Sequence, residues 1–172
     1  MSYIITGIDP GSRTSAFVSW DVEREQIISC EEKAANDSLL LGLRKPNLIT
    51  DHIVAIEQIR GYGIVAGDDT FDTCEYSGRF REAHEGKGGK VYMIPRKDIK
   101  RHLCGNTTTN DKYIRQSLID RLGGVGTKKQ PGKLYGISGH LWSALAVAIT
   151  TADRISDCHA MEEACKVADE IL

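Results

Sequence analysis

Apolar and polar positions fall in short alternating blocks over the first third of the chain and at helical spacing over much of the rest. Tyr3-Ile4-Ile5-Thr6-Gly7-Ile8 is apolar and rich in β-branched residues, as a buried strand is. Asp9 follows at once, and Pro10-Gly11 turns the chain. Thr14-Ser15-Ala16-Phe17-Val18-Ser19-Trp20 predicts a second strand. After the charged turn 21–25, Gln26-Ile27-Ile28-Ser29-Cys30 predicts a third, making an antiparallel meander. Leu39 to Leu43 predicts a short helix stopped before Pro46. Ile53-Val54-Ala55-Ile56 is a compact buried strand, and it ends on a second carboxylate, Glu57.

Residues 60–68 hold Gly61, Gly63 and Gly67 and read as a loop. Phe71, Cys74 and Gly78 then recur at helical spacing up to about His84. Gly86 to Gly89 breaks that helix, and Val91-Tyr92-Met93-Ile94 makes a fifth strand ending at Pro95. Residues 96–103 predict a short basic helix. Thr109 or Asn110 can cap the next one, whose apolar stripe is Ile114, Leu118 and Leu122. A glycine- and lysine-containing loop spans 123–136. An Ala-rich helix from about Ser138 to Ser156 follows, then a further helix to the C-terminus. This order demands an α/β fold, a central five-stranded mixed sheet flanked by helices. Residues 1–156 form one domain, with 157–172 as its helical extension. The helix with Phe71, Cys74, Gly78 and Phe80 is the interface candidate, because small residues let helices approach closely.

At 172 residues the chain can bury one core, and 41% hydrophobic with 27% charged residues is ordinary for a globular protein. No apolar stretch is long enough to span a bilayer, and no basic segment leads into an apolar run at the N-terminus. Five cysteines, an odd number without a C-x-x-C pair, read as reduced thiols and predict a cytoplasmic protein. Cys158 and Cys165 would share a helix face beside His159, and are taken as buried free thiols rather than metal ligands. The net charge of −2 is unevenly distributed. Residues 95–133 carry ten Lys and Arg against Asp98, Asp111 and Asp120, a local +7 that leaves −9 elsewhere. A basic half beside an acidic half can serve as a phosphate-binding face, although solvated helices give the same count.

Two predicted strands thus end on acids, Asp9 and Glu57. Adjacent strand ends can bring such side chains to a shared Mg²⁺, which takes one or two carboxylates together with water and phosphate oxygens. Any α/β domain has acids at strand ends, so the order of several segments carries more weight. Those segments are Gly7-Ile8-Asp9-Pro10-Gly11, Ile56-Glu57-Gln58, Thr70-Phe71-Asp72-Thr73-Cys74 and Pro95-Arg96-Lys97-Asp98-Ile99-Lys100. Cys104-Gly105-Asn106, Asp111 to Arg121 and Trp142-Ser143-Ala144-Leu145-Ala146-Val147-Ala148 complete the series. From residue 3 to about 153 the chain resembles RuvC-type Holliday junction resolvases, particularly the phage-encoded branch.

The resemblance implies a ribonuclease H-like fold and a homodimer that cuts four-way DNA junctions with Mg²⁺ or Mn²⁺, as two ions. It makes Asp9 and Glu57 metal ligands and places Lys100 and Lys112 at the junction, with Lys112 also in the catalytic set. Arg96, Arg101 and Arg115 become further phosphate contacts. Two departures stand out. Bacterial members carry two acids three residues apart in the last helix, where this chain has His140 and Ser143. His140 can bind an ion or move a proton, although imidazole suits softer ions better than Mg²⁺. Ser143 is a supporting residue. Three residues after Glu57, bacterial members place an aromatic that stacks at the junction centre. Here Arg60 stands there, with Tyr62 beyond it.

Three rival readings share parts of the pattern. A sugar kinase or actin-like ATPase also puts Asp-x-Gly-Ser after a first strand, but needs two such domains, more than 172 residues hold. A junction-binding relative without cleavage would account for His140 and Ser143. A broader branched-DNA nuclease, cutting forks and flaps, differs only in substrate. If one of Arg60 and Tyr62 opens the junction, replacing both with Ala should suppress the fluorescence rise of 2-aminopurine at the centre of a bound junction. Unchanged fluorescence would exclude that role.

Overall fold

The computed structural model describes residues 3–46, 52–61, 63 and 65–171, with side chains as far as Met161. Ile4–Asp9 (β1), Thr14–Asp21 (β2) and Gln26–Ala35 (β3) form the antiparallel meander. Asn36–Arg44 (α1), His52–Gln58 (β4), Asp68–Glu85 (α2) and Lys90–Pro95 (β5) follow. Arg96–Cys104 (α3), Asp111–Leu122 (α4) and Leu141–Ile171 (α5) complete the element order. One open sheet runs β3-β2-β1-β4-β5, with β4 parallel to β1 and β5 parallel to β4. The five-stranded mixed sheet is the one the pattern demands. Among the described residues no helix is long and apolar enough to cross a membrane.

Side chains alternate across a strand, so Ile5, Gly7 and Asp9 share one face of β1 and Ile53, Ala55 and Glu57 share one face of β4. The helices α3, α4 and α5 cover that face. Ile5, Val18, Trp20, Ala55 and Ile94 pack there with Ile99, Leu118, Leu145 and Ile149. Ile8, Val54 and Ile56 face the other way, onto Leu40 and Leu43 of α1 and Phe80 and Ala83 of α2. Phe80 therefore belongs to the core and not to an interface, because its position on α2 points inward. Phe71, Cys74 and Gly78 are the exposed members of that set.

Three element boundaries move. The strand β3 runs five residues past Cys30, since an edge strand accepts charged residues such as Glu31, Glu32 and Lys33. The helix α1 opens at Asn36, a buried residue that accepts from Ser15 Oγ at 2.7 Å and donates from Nδ2 to the Gly11 carbonyl at 2.8 Å. Ser15 Oγ also accepts from the Gly11 amide at 3.2 Å, which fastens the Pro10-Gly11 turn behind Asp9. The last segment is one continuous helix rather than two, and it begins at Leu141. Gly136 and Gly139 hold φ of 87° and 43°, so the chain enters the helix only after them. Cys30, Cys74, Cys104 and Cys158 are free thiols, and Cys158 is exposed rather than buried. The Cys165 side chain lies outside the described residues.

The position of α5 depends on Gly7. A Cβ there would collide with the Ala144 carbonyl and come within 2.9 Å of the Ala148 Cβ. Gly7→Ala must therefore push α5 off β1. It is expected to cost about 3 kcal/mol and to lower Tm by roughly 6–12 °C, measured by thermal denaturation. An unchanged Tm would show that the helix does not depend on this approach.

Candidate active site

The parallel pairing of β1 and β4 sets Ile8 opposite Ile56, so the next residues, Asp9 and Glu57, emerge side by side. Both point to the face that α5 covers. Their side chains are 17% and 15% exposed. His140 sits just before α5, where its carbonyl accepts from the Ala144 amide at 3.1 Å, and its Nδ1 lies 2.9 Å from Asp9 Oδ2. The structure thus brings together Asp9, Glu57 and His140. A groove of about 280 Å³ runs from Asp9 and His140 past Ser12 and Arg13 to Glu32 and Lys33 of β3.

A guanidinium joins them. Arg96 opens α3 directly after β5. Its Nη1 donates to Glu57 Oε2 at 2.8 Å and to Ser143 Oγ at 3.2 Å, and its Nη2 pairs with Asp111 Oδ2 at 2.9 Å. Lys100 Nζ reaches the other Asp111 oxygen at 3.3 Å. Asp111 stands in the first turn of α4, where a carboxylate also favours the helix N-terminus. Nothing in the sequence beyond its sign marks Asp111 as part of this network. Asn36 and Ser15 were likewise unmarked, since their partners are distant in the chain.

Burial raises the Asp9 pKa above the ordinary carboxylate value, although His140, Arg96 and Ser143 all pull it down. Burial also pushes Glu57 up to about 7; Arg96 opposes this and the neighbouring Asp9 charge adds to it. For Arg96, burial disfavours the cation, but Glu57 and Asp111 outweigh it and its pKa is raised. Asp111 moves down: burial opposes its charge, and Arg96 and Lys100 more than offset that.

The remaining basic residues spread outward. Lys112 is exposed at the start of α4 with Nζ 4.9 Å from the Tyr113 ring centre, and it forms no ion pair with a site carboxylate among the described residues. Arg115 lies over the Trp142 ring at 5.0 Å. Arg101 is exposed and meets Asp98 at 3.7 Å. Arg60 is exposed with Nε donating to Gln58 Oε1 at 3.1 Å. Tyr62 lies outside the described residues.

No family model and no curated protein matches the sequence. Solved structures do. The structure of Thermus thermophilus RuvC is 19% identical with a TM-score of 0.63, over 89% of this chain and 96% of that one. T. thermophilus RuvC in complex with a Holliday junction substrate is 19% identical with a TM-score of 0.59, over 86% of this chain and 91% of that one. The fold is ribonuclease H-like.

A divalent cation, which the resemblance implies, fits the donor set. Two largely buried carboxylates stand at adjacent strand ends, and an ion beside them would offset the burial cost that raises both pKa values. Among the described residues no group of three or more His, Cys, Asp and Glu is assembled as a ready metal cage. Mg²⁺ does not require one, since water and phosphate oxygens complete its shell.

The raised Glu57 pKa has a consequence for the metal-free chain. Between pH 4.5 and 7 the folded state keeps a proton that the unfolded state has released, so stability falls as pH rises through that window. With EDTA present, Glu57→Gln should raise Tm by about 2–4 °C at pH 8 and leave it nearly unchanged at pH 4.5. A loss of stability at pH 8 would contradict the assigned burial cost.

Proposed function

We propose that this chain is a divalent-metal-dependent endonuclease of the RuvC type, of its phage-encoded branch, that resolves four-way DNA junctions by phosphodiester hydrolysis. The observation that carries this is the convergence of Asp9, Glu57 and His140 beside the basic α3–α4 face, on a ribonuclease H-like fold. One of the structural neighbours is a RuvC bound to a Holliday junction substrate, which supports the choice of DNA.

Asp9 and Glu57 would hold the ion, Mg²⁺ or Mn²⁺. When bound, it supplies Lewis-acid polarisation of the scissile phosphate and water of lowered pKa. His140 would meet the ion by giving up the contact of its Nδ1 with Asp9, and otherwise would move a proton through Nε2, which points away from Asp9. Lys100 and Lys112, with Arg101 and Arg115, provide the phosphate-binding surface, and weak exposed pairs such as Arg101–Asp98 can open in favour of DNA. Cutting two opposed strands of a junction calls for two active sites. A homodimer supplies them, and the exposed α2 residues Phe71, Cys74 and Gly78 suit its interface.

Labelled four-way, three-way and linear DNA incubated with the protein in Mg²⁺ or Mn²⁺ tests the proposal. Symmetric cutting of the four-way junction is expected. Asp9→Asn should reduce the rate by about 10³-fold or more with binding retained, and His140→Ala by about 10²-fold. Lys112→Ala should weaken binding to all DNA and reduce its salt slope by about 1. Binding without cleavage in either metal would overturn the enzyme assignment. Equal cutting of every branched form would overturn strict four-way specificity.

A further inference from the structure

Arg96 is built into the site and not spread over its surface. Its side chain is 20% exposed, and groups from three elements fix it: Glu57 at the end of β4, Ser143 of α5 and Asp111 of α4. The guanidinium is charged at every working pH and is planar, so these bonds also fix its direction. Its Nη1 lies in the space between Glu57 Oε2 and Ser143 Oγ. An ion entering there would have to share Glu57 Oε2 with a permanent cation, in a partly buried setting where water screens little. Asp9 differs. Its Oδ2 faces the exposed His140 ring and opens on the groove along Ser12 and Arg13. The site therefore has a side already occupied by positive charge and a side open to solvent.

We propose that Arg96 is a fixed second cation of this site, so that the chain holds one divalent ion, on the Asp9 side that opens on the groove, rather than two. The inference rests on the nuclease function proposed above. In a two-ion site, each ion stabilises charge on one oxygen of the in-line displacement. Here the guanidinium supplies that charge on the Glu57–Ser143 side, preorganised and without reorganisation during the reaction. Asp111 is its positioning residue, because it orients Nη2 and bonds Lys100 through its other oxygen.

The test counts ions and does not depend on turnover. Titration of the metal-free full-length protein with Mn²⁺, followed by the electron paramagnetic resonance of the free ion, should give one ion per chain for the wild type. Arg96→Lys, which keeps the charge, should also bind one. Arg96→Gln, which removes the charge but keeps donors for Glu57 and Ser143, should admit a second ion and tighten the first by about tenfold. Anomalous scattering from wild-type crystals soaked in Mn²⁺ should show density at Asp9 and none between Glu57 and Ser143. Two wild-type ions, or an Arg96→Gln protein that binds one ion with unchanged affinity, overturn the role of Arg96 and leave the nuclease function standing. No ion in any form overturns both. The wild-type count decides the matter even if Arg96→Gln does not fold.

Discussion

The approach of α5 to β1 at Gly7 governs the geometry of everything near the site. Gly7 lies on the face of β1 that also carries Asp9, two residues further on. With no side chain at Gly7, the α5 backbone comes down onto the strand at Ala144 and Ala148. The residues just before that contact, His140 and Ser143, are then set above the end of the strand. His140 reaches Asp9, and Ser143 meets the guanidinium that reaches Glu57. A bulkier residue at Gly7 would lift the helix and separate the imidazole from the carboxylate. Core packing and site assembly are one constraint here, which is why an Ala-rich turn follows His140.

That constraint was partly legible. An apolar β-branched run broken by Asp-Pro-Gly gives a strand with a carboxylate at its end from local chemistry alone, and Glu57 follows by the same logic. Parity then assigns both acids to one face once the strands are known to be parallel. The start of α5 was harder, because the Ala-rich periodicity extends back through His140 while the positive φ of Gly139 delays the helix. Phe71 and Phe80 are nine residues apart and so lie on opposite faces of α2, and the packing of α2 on the sheet decides which of the two faces is buried. The fold was readable where one element suffices, and less so where two elements must cross at a particular angle.

Charge shows the same limit. The +7 of residues 95–133 treats Arg96 and Lys100 as surface cations, yet both are turned onto Asp111, and Arg96 also onto Glu57 outside the segment. Arg121 is held by both oxygens of Asp153, and His102 Nε2 shares Oδ2 with it. A sum over sequence cannot separate paired charges from those facing solvent, since pairing depends on which helices meet. The unpaired positive surface is narrower than the count suggests, and Lys112, Arg101 and Arg115 meet only aromatic rings or the half-buried Asp98.

Two carboxylates at adjacent strand ends create a folding problem before they can serve any chemistry. Each is buried enough to resist ionisation, and the Asp9 charge adds to the cost at Glu57. An ion could relieve this, but a chain that required it would fold only in its presence. Arg96 opposes this cost at Glu57 without removing it, and His140 eases it for Asp9 through a hydrogen bond. The two counter-groups differ in kind. The His140 ring is exposed and meets Asp9 through a single contact, so the Asp9 side stays open to exchange. The guanidinium cannot lose its charge, and Asp111 prevents it from swinging away. The Glu57 side is therefore held by a permanent charge fixed at three points, and the Asp9 side by one exposed ring.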